Sequence, residues 1–88
     1  MKTIYKWTLA LQDRQVITAP HNTSFLTVQL QHGEPQVWGI CNPNLPPEEN
    51  VFHIRGTGHP MPETDNLLYV GSFQMNEGQF IFHVFREV

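Results

Sequence analysis

The chain has 88 residues and a formal net charge of −3, with only five lysine and arginine residues. A chain of this length forms one domain with a thin core, so we treat residues 1–88 as a single domain. The cations are scattered, at Lys2, Lys6, Arg14, Arg55 and Arg86. This excludes a partner of the duplex DNA or RNA class, because duplex binding needs clustered cations.

The composition also predicts the state and compartment of the protein. Charged residues make up 15% of the chain and aromatic residues 11%, which favours a compact fold over disorder. The one cysteine, Cys41, cannot form an internal disulfide, and this indicates a reducing compartment. No apolar run approaches the ~18 residues of a membrane span, and no signal peptide opens the chain. We therefore expect a soluble cytoplasmic protein without a membrane partner.

Apolar and polar residues alternate along most of the chain, which is the period of β-strands. The clearest case runs from Phe25 to Gln31, where Leu26, Val28 and Leu30 share one predicted face. No stretch has a helical stripe longer than two turns. The predicted strands are residues 3–9, 14–18, 25–31, 36–41, 51–55, 68–75 and 79–86. The predicted fold is all-β, a small antiparallel β-sandwich or flattened barrel of about six or seven short strands.

Turn residues separate these strands. His32 to Pro35 predicts a hairpin connection, and Asn76 to Gly78 predicts a short turn with a left-handed glycine. The segment from Asn42 to Asn50 holds three prolines and predicts a surface loop outside any sheet. A long glycine-containing loop runs from Gly56 to Asn66.

The last predicted strand, Gln79 to Arg86, is apolar on both faces. Such a strand is typical of a sheet interior or of a surface that faces a second subunit. Together with the low charge, this predicts a homo-oligomer.

The segment Arg55-Gly56-Thr57-Gly58-His59-Pro60 is the main candidate site. The two glycines permit a positive φ and a close approach of a ligand to the main chain, and Arg55, Thr57 and His59 supply hydrogen-bond donors around that gap. A Gly-x-Gly turn can also serve geometry alone. The aromatic rings of Trp38 and Tyr69 offer stacking surfaces for a base-like ring. These residues together predict a binding site for a small polar or nucleotide-like ligand.

Catalysis and metal binding are the alternatives for the histidines. His59 with Glu63 or Asp65 would form a base and its orienting group on one loop, as in a small hydrolase or lyase. The five histidines lack the short spacing of zinc ligands, so we expect no metal and no cofactor. We interpret His53 as a solvated residue of a sheet face and His83 as a half-buried imidazole with a hydrogen-bond partner.

Several segments carry a resemblance to a known family. They are Lys2-Thr3-Ile4-Tyr5-Lys6, the run from Val28 to Pro35 with Trp38, Gly56-Thr57-Gly58-His59-Pro60, Tyr69 to Gln74 and Phe82-His83-Val84-Phe85. In these the chain resembles a family of small uncharacterised proteins of tailed bacteriophages and prophages, over almost its whole length. The resemblance implies a phage accessory protein in the cytoplasm of a host cell.

Two modes of binding follow from that setting. The protein would sequester a small nucleotide-like ligand, such as a signal of host defence, or it would mask a host defence enzyme through an exposed strand edge or aromatic patch. We favour binding over catalysis at the His59 loop, because binding needs only hydrogen-bond donors and a complementary shape.

Overall fold

The computed structural model describes all 88 residues and contains seven β-strands. They are β1 (Thr3–Thr8), β2 (Arg14–Pro20), β3 (Ser24–Gln31), β4 (Glu34–Cys41), β5 (Pro47–Gly56), β6 (Leu67–Met75) and β7 (Phe80–Glu87). The first sheet has the order β1-β4-β3 and the second has the order β2-β5-β7-β6. Every pair is antiparallel. The predicted all-β class is confirmed, as a sandwich of two sheets and not as a closed barrel. No helix in the structure is long and apolar enough to cross a membrane.

The two sheets bury one small core between them. Its centre is Leu9, Val28, Val37, Phe52, Ile54, Phe73 and Val84. The rings of Phe25 from β3 and Phe52 from β5 meet edge to face at 5.0 Å and connect the two sheets. At one side β3 and β6 approach closely, because a Cβ on Gly71 would lie only 3.0 Å from Val28 Cγ1. A larger residue at position 71 would therefore push the sheets apart.

The alternation in β3 is interrupted by a bulge. The pairing register of β3 with β4 shifts between Phe25 and Thr27, so Leu26 is the extra residue and its side chain is exposed. The prediction that Leu26 shares a face with Val28 is therefore wrong. A bulge inserts one residue into the pleat and reverses the faces on one side of it, and Phe25 joins the core instead.

Two predicted connections differ in length from the observed ones. The hairpin between β3 and β4 turns on His32 and Gly33 alone, with φ of 53° and 80°, as a two-residue hairpin requires. The prediction of a loop through Asn50 is also wrong, because β5 begins at Pro47. Pro47 is tolerated because it is the first residue of its strand, and it pairs with Pro20 at the end of β2.

The connection from β5 to β6 crosses the second sheet. Both strands pair antiparallel with β7, which lies between them, so they run parallel and residues 57–66 must return from one end of the sheet to the other. The strand β7 is therefore interior, as its two apolar faces predicted. The crossover passes over the face that carries Arg55, because Arg55 Nε donates to the carbonyl of Pro60 at 3.1 Å.

His53 lies on the same face of β5 as Arg55. It is buried there, contrary to the prediction of a solvated residue. Its side chain is almost fully covered, and in the sheet it lies between Arg14 of β2 and Phe85 of β7. Its Nε2 atom lies 2.7 Å from Glu87 Oε1, while Nδ1 has no hydrogen-bond partner.

Candidate functional site

The segment from Gly56 to His59 forms a tight turn at the end of β5. The amide of His59 donates to the carbonyl of Gly56 at 3.0 Å, and the amide of Thr57 donates to the carbonyl of Ile81 at 3.1 Å. Gly58 adopts φ of +88°, a conformation that favours glycine. The backbone of the turn is thus hydrogen-bonded to β7 just beyond the end of β5, while β7 and β6 remain paired as far as Phe80 and Met75.

Gly56 does not use a positive φ, although the sequence suggested this for both glycines. Its missing side chain leaves space for the ring of His59, because a Cβ at Gly56 would lie 2.9 Å from His59 Nδ1. The group that approaches the main chain closely at this point is therefore His59 itself.

A groove of about 340 Å³ opens between this turn and the beginning of β7. It is lined by Gly56, Thr57, His59, Gln79, Phe80, Ile81 and Phe82. The aromatic and aliphatic side chains come from β7, where Phe80 is 48% exposed and Ile81 is 37% exposed. The turn and Gln79 add polar groups. The groove thus combines an apolar wall with a polar edge, as ligand-binding pockets commonly do.

A second cavity of about 100 Å³ adjoins the groove. Its lining residues are Leu11, Gln12, Asp13, Ile54, Gly56, His59 and Phe82. Gly56, His59 and Phe82 line both spaces, so these three residues form their common wall.

Arg55 does not line either cavity. Its guanidinium NH1 donates to the carbonyl of Asp13 at 2.6 Å and to that of Ile54 at 3.0 Å, and its Nε donates to Pro60. Three carbonyl oxygens thus engage the group that the sequence suggested as a ligand contact. The structure gives it the role of holding the segment before β2 and the crossover against β5.

The two predicted stacking residues lie away from the groove. Trp38 is in β4 of the other sheet, where Lys6 Nζ lies 5.6 Å from its ring centre. Tyr69 is on the second sheet, 58% exposed, with its ring 5.4 Å from that of Phe85. Of the predicted ligand contacts, the structure brings together only Gly56, Thr57, Gly58 and His59, with Arg55 behind them.

A side-chain hydrogen bond connects the turn to His83 of β7. Thr57 Oγ1 and His83 Nε2 are 2.8 Å apart and share a proton, so His83 has the partner that the sequence predicted for it. The ring of Tyr69 lies 6.3 Å from that of His83. This bond fixes the rotamer of Thr57 at the edge of the groove.

The His59 ring has no hydrogen bond, and neither Glu63 nor Asp65 contacts it as an orienting carboxylate. A base needs such a partner within hydrogen-bond reach to be held in one tautomer. No group of three or more His, Cys, Asp or Glu side chains is arranged to hold a metal ion. His59 thus lacks the orienting carboxylate that the hydrolase or lyase alternative predicted.

Comparison with known proteins adds a family. A model of the family described as "Domain of unknown function (DUF7352)" matches residues 1–88. The chain belongs to this family. No curated protein matches the chain, and no solved structure matches it. The family description assigns no activity to the DUF7352 domain.

The sequence did not indicate that residues 79–82 face the Gly56–His59 turn. The available signal was the excess of apolar residues at Phe80 and Ile81, directly after the turn at Gly78. An interior strand needs two apolar faces only where both faces are covered. The neighbouring strand β5 ends opposite Phe82 of β7, so it does not flank the first residues of β7. The side chains of Phe80 and Ile81, which lie beyond that point, are exposed.

Proposed function

We propose that this protein binds a small nucleotide-like ligand, with the base of the ligand in the groove between the Gly56–His59 turn and residues 79–82. The observation that carries the proposal is that the exposed side chains of Phe80 and Ile81 line one groove together with Thr57 and His59. An exposed aromatic ring stacks on any base, for about 1–3 kcal/mol. The polar groups of Thr57 and His59 would orient the stacked base.

The volume of the groove limits the size of the ligand. Ligand pockets span roughly 300–1,000 Å³, and a groove of about 340 Å³ is at the lower end. It suits a single nucleoside unit, so a dinucleotide or a longer strand would extend out of the groove.

The charges of the site favour the base and sugar over phosphates. No lysine or arginine lines the groove, the nearest guanidinium is engaged by carbonyls, and the whole chain carries a net charge of −3. We therefore expect a nucleoside to bind about as well as its phosphorylated form, with little dependence on salt.

The resemblance to phage and prophage proteins supplies the setting that we propose. A phage accessory protein that captures a nucleotide-like signal of host defence would act by lowering its free concentration in the host cytoplasm. This role requires binding without turnover, and it is consistent with a site that gives His59 no carboxylate partner.

Calorimetric titration of the full chain with nucleosides and mononucleotides tests this function. We expect binding by at least one of them, and we expect Phe80→Ala to weaken it by about tenfold or more, since tenfold corresponds to ~1.4 kcal/mol. The matched control is Tyr5→Ala, which removes an aromatic ring of similar exposure, 46%, on β1 of the other sheet. Trp38→Ala and Tyr69→Ala test the other two aromatic candidates. Absence of any binding, or equal losses for Phe80→Ala and Tyr5→Ala, would contradict the proposal.

An exposed strand edge favours a second candidate function, masking of a host protein. β1 is an edge strand of its sheet and exposes Ile4 by 57%, so a partner strand can add to it. Lys2 and Lys6 flank this edge and favour an acidic partner. Ile4→Lys should then abolish retention of a host protein that His59→Ala still retains; the opposite pattern would reject β1 as the interface.

A further inference from the structure

The smaller cavity contains one charged residue, and the structure fixes its position. Asp13 is the only charged residue that lines either of the two cavities. Its carbonyl accepts hydrogen bonds from the amide of Ile54 at 3.0 Å and from Arg55 NH1 at 2.6 Å. Its backbone is thus held at two points. Asp13 is an exposed residue at the rim of this cavity, and its carboxylate makes no hydrogen bond and no ion pair within the chain.

One residue of the wall between the two cavities is held by no hydrogen bond of its side chain. The His59 ring lies against Gly56 by packing alone, makes no hydrogen bond, and stands on an exposed turn. Gly56 and Phe82 belong to paired strands and stay in place. Rotation of His59 away from Gly56 would therefore join the cavities into one channel that leads from Phe80 to Asp13.

We propose that the ligand of the groove extends past His59 into the smaller cavity, where an edge of its base that carries N–H donors binds the carboxylate of Asp13. This inference rests on the proposed function and specifies the chemical class of the ligand. An ionised carboxylate only accepts hydrogen bonds, and its two oxygens suit two adjacent donors. Charge-assisted bonds of this kind are stronger than neutral ones.

This chemistry selects among bases. Guanine presents a ring N–H beside an exocyclic amino group, and so offers two parallel donors to one carboxylate. Hypoxanthine keeps the ring N–H and lacks the amino group. Adenine and uracil place a hydrogen-bond acceptor beside their donor, and that acceptor would face the negative charge. The site therefore favours a guanine-like base.

Calorimetric titration with guanosine, inosine and adenosine tests the inference on the unmodified chain. We expect guanosine to bind about tenfold more tightly than inosine, because one charge-assisted hydrogen bond is lost, and adenosine to bind more weakly than either. Equal affinities for guanosine and inosine would overturn the role of Asp13.

Two variants test whether Asp13 causes the preference for guanosine over inosine. Asp13→Asn preserves the size of the side chain and should remove the preference for guanosine over inosine. The control Asp65→Asn makes the same change of charge on the crossover, outside both cavities, and should retain the preference. A preference that survives Asp13→Asn would contradict the inference.

These outcomes separate the two proposals. If nucleosides bind with equal affinity and Phe80→Ala weakens them, the groove is the site and Asp13 does not contribute. If no nucleoside binds the unmodified chain, the proposed function fails, and this inference fails with it.

Discussion

Gly56 and Gly58 are two residues apart, and each lacks a side chain for a different physical reason. At Gly58 the backbone is left-handed and the surrounding space is open; at Gly56 the backbone is ordinary and the space is filled by His59. The Gly-x-Gly pattern alone could not separate these reasons, because the second depends on where a ring three residues later is placed. Arg55 is a similar case. Its charge suggested a ligand contact, but its partner Asp13 lies 42 residues away in sequence, and that pairing is a property of the fold.

Alanine substitutions at the two glycines should therefore differ in effect. Gly58→Ala forces a Cβ into a left-handed conformation and should lower the free energy of unfolding by about 1–2 kcal/mol. Gly56→Ala should change it by less than ~1 kcal/mol, since the His59 ring can move away, and it should shift the ring signals of His59 in NMR spectra. Denaturant titration of both variants gives the comparison, and a larger loss for Gly56→Ala would show that the ring of His59 is fixed.

At the scale of strands, alternation predicted seven elements close to their observed positions. It could not predict the bulge at Leu26 or the start of β5 at Pro47, because both depend on the register with a partner strand. The beginning of β7 illustrates the same limit. Its apolar character was visible in the sequence, but only the pairing of Gly56 with Phe82 shows that Phe80 and Ile81 lie beyond the end of β5.

Because of the bulge in β3, we predict that Phe25 contributes more to stability than Leu26, the opposite of what simple alternation indicates. Phe25 packs against Phe52 in the core, so Phe25→Ala should cost about 2–3 kcal/mol of unfolding free energy. Leu26 is exposed, and Leu26→Ala should cost less than ~0.5 kcal/mol. If denaturant titration found the larger loss at Leu26, the register of β3 with β4 would be incorrect.

The attachment of the crossover depends on Arg55. A lysine at this position cannot reach the carbonyls of Asp13 and Pro60 together, so Arg55→Lys should lower the unfolding free energy by about 1–2 kcal/mol and speed protease cleavage within residues 57–66. Arg14→Lys is the matched control, because Arg14 is exposed and its side chain makes no hydrogen bond. Equal cleavage rates in the two variants would show that Arg55 does not hold the crossover.

As a whole, the molecule is a flat sandwich with Cα extents of 40 × 32 × 16 Å. Fifteen of its 88 residues are buried, so the core is thin and many apolar side chains remain at the surface. The fold class followed from composition and alternation because both report on burial. The groove did not, because it forms where a turn and a hairpin meet at one end of the sheet.

The exposed apolar side chains are the reason we expect self-association. Ile4, Leu68 and Tyr69 are each more than half exposed, and apolar surface of this kind is commonly covered in an oligomer. Light scattering at micromolar concentration should give the mass of a dimer or a larger assembly. The mass of a single chain, 10.2 kDa, would contradict this expectation.

The proposed function requires that the groove between the Gly56–His59 turn and β7 binds a nucleoside. An NMR titration of the ¹⁵N-labelled chain with guanosine tests it directly, residue by residue. We predict saturable shifts of the amides of Gly56, Thr57, His59 and residues 79–82, with β1 unchanged. Absence of saturable shifts with millimolar guanosine, inosine and adenosine alike, or shifts confined to β1, would contradict it.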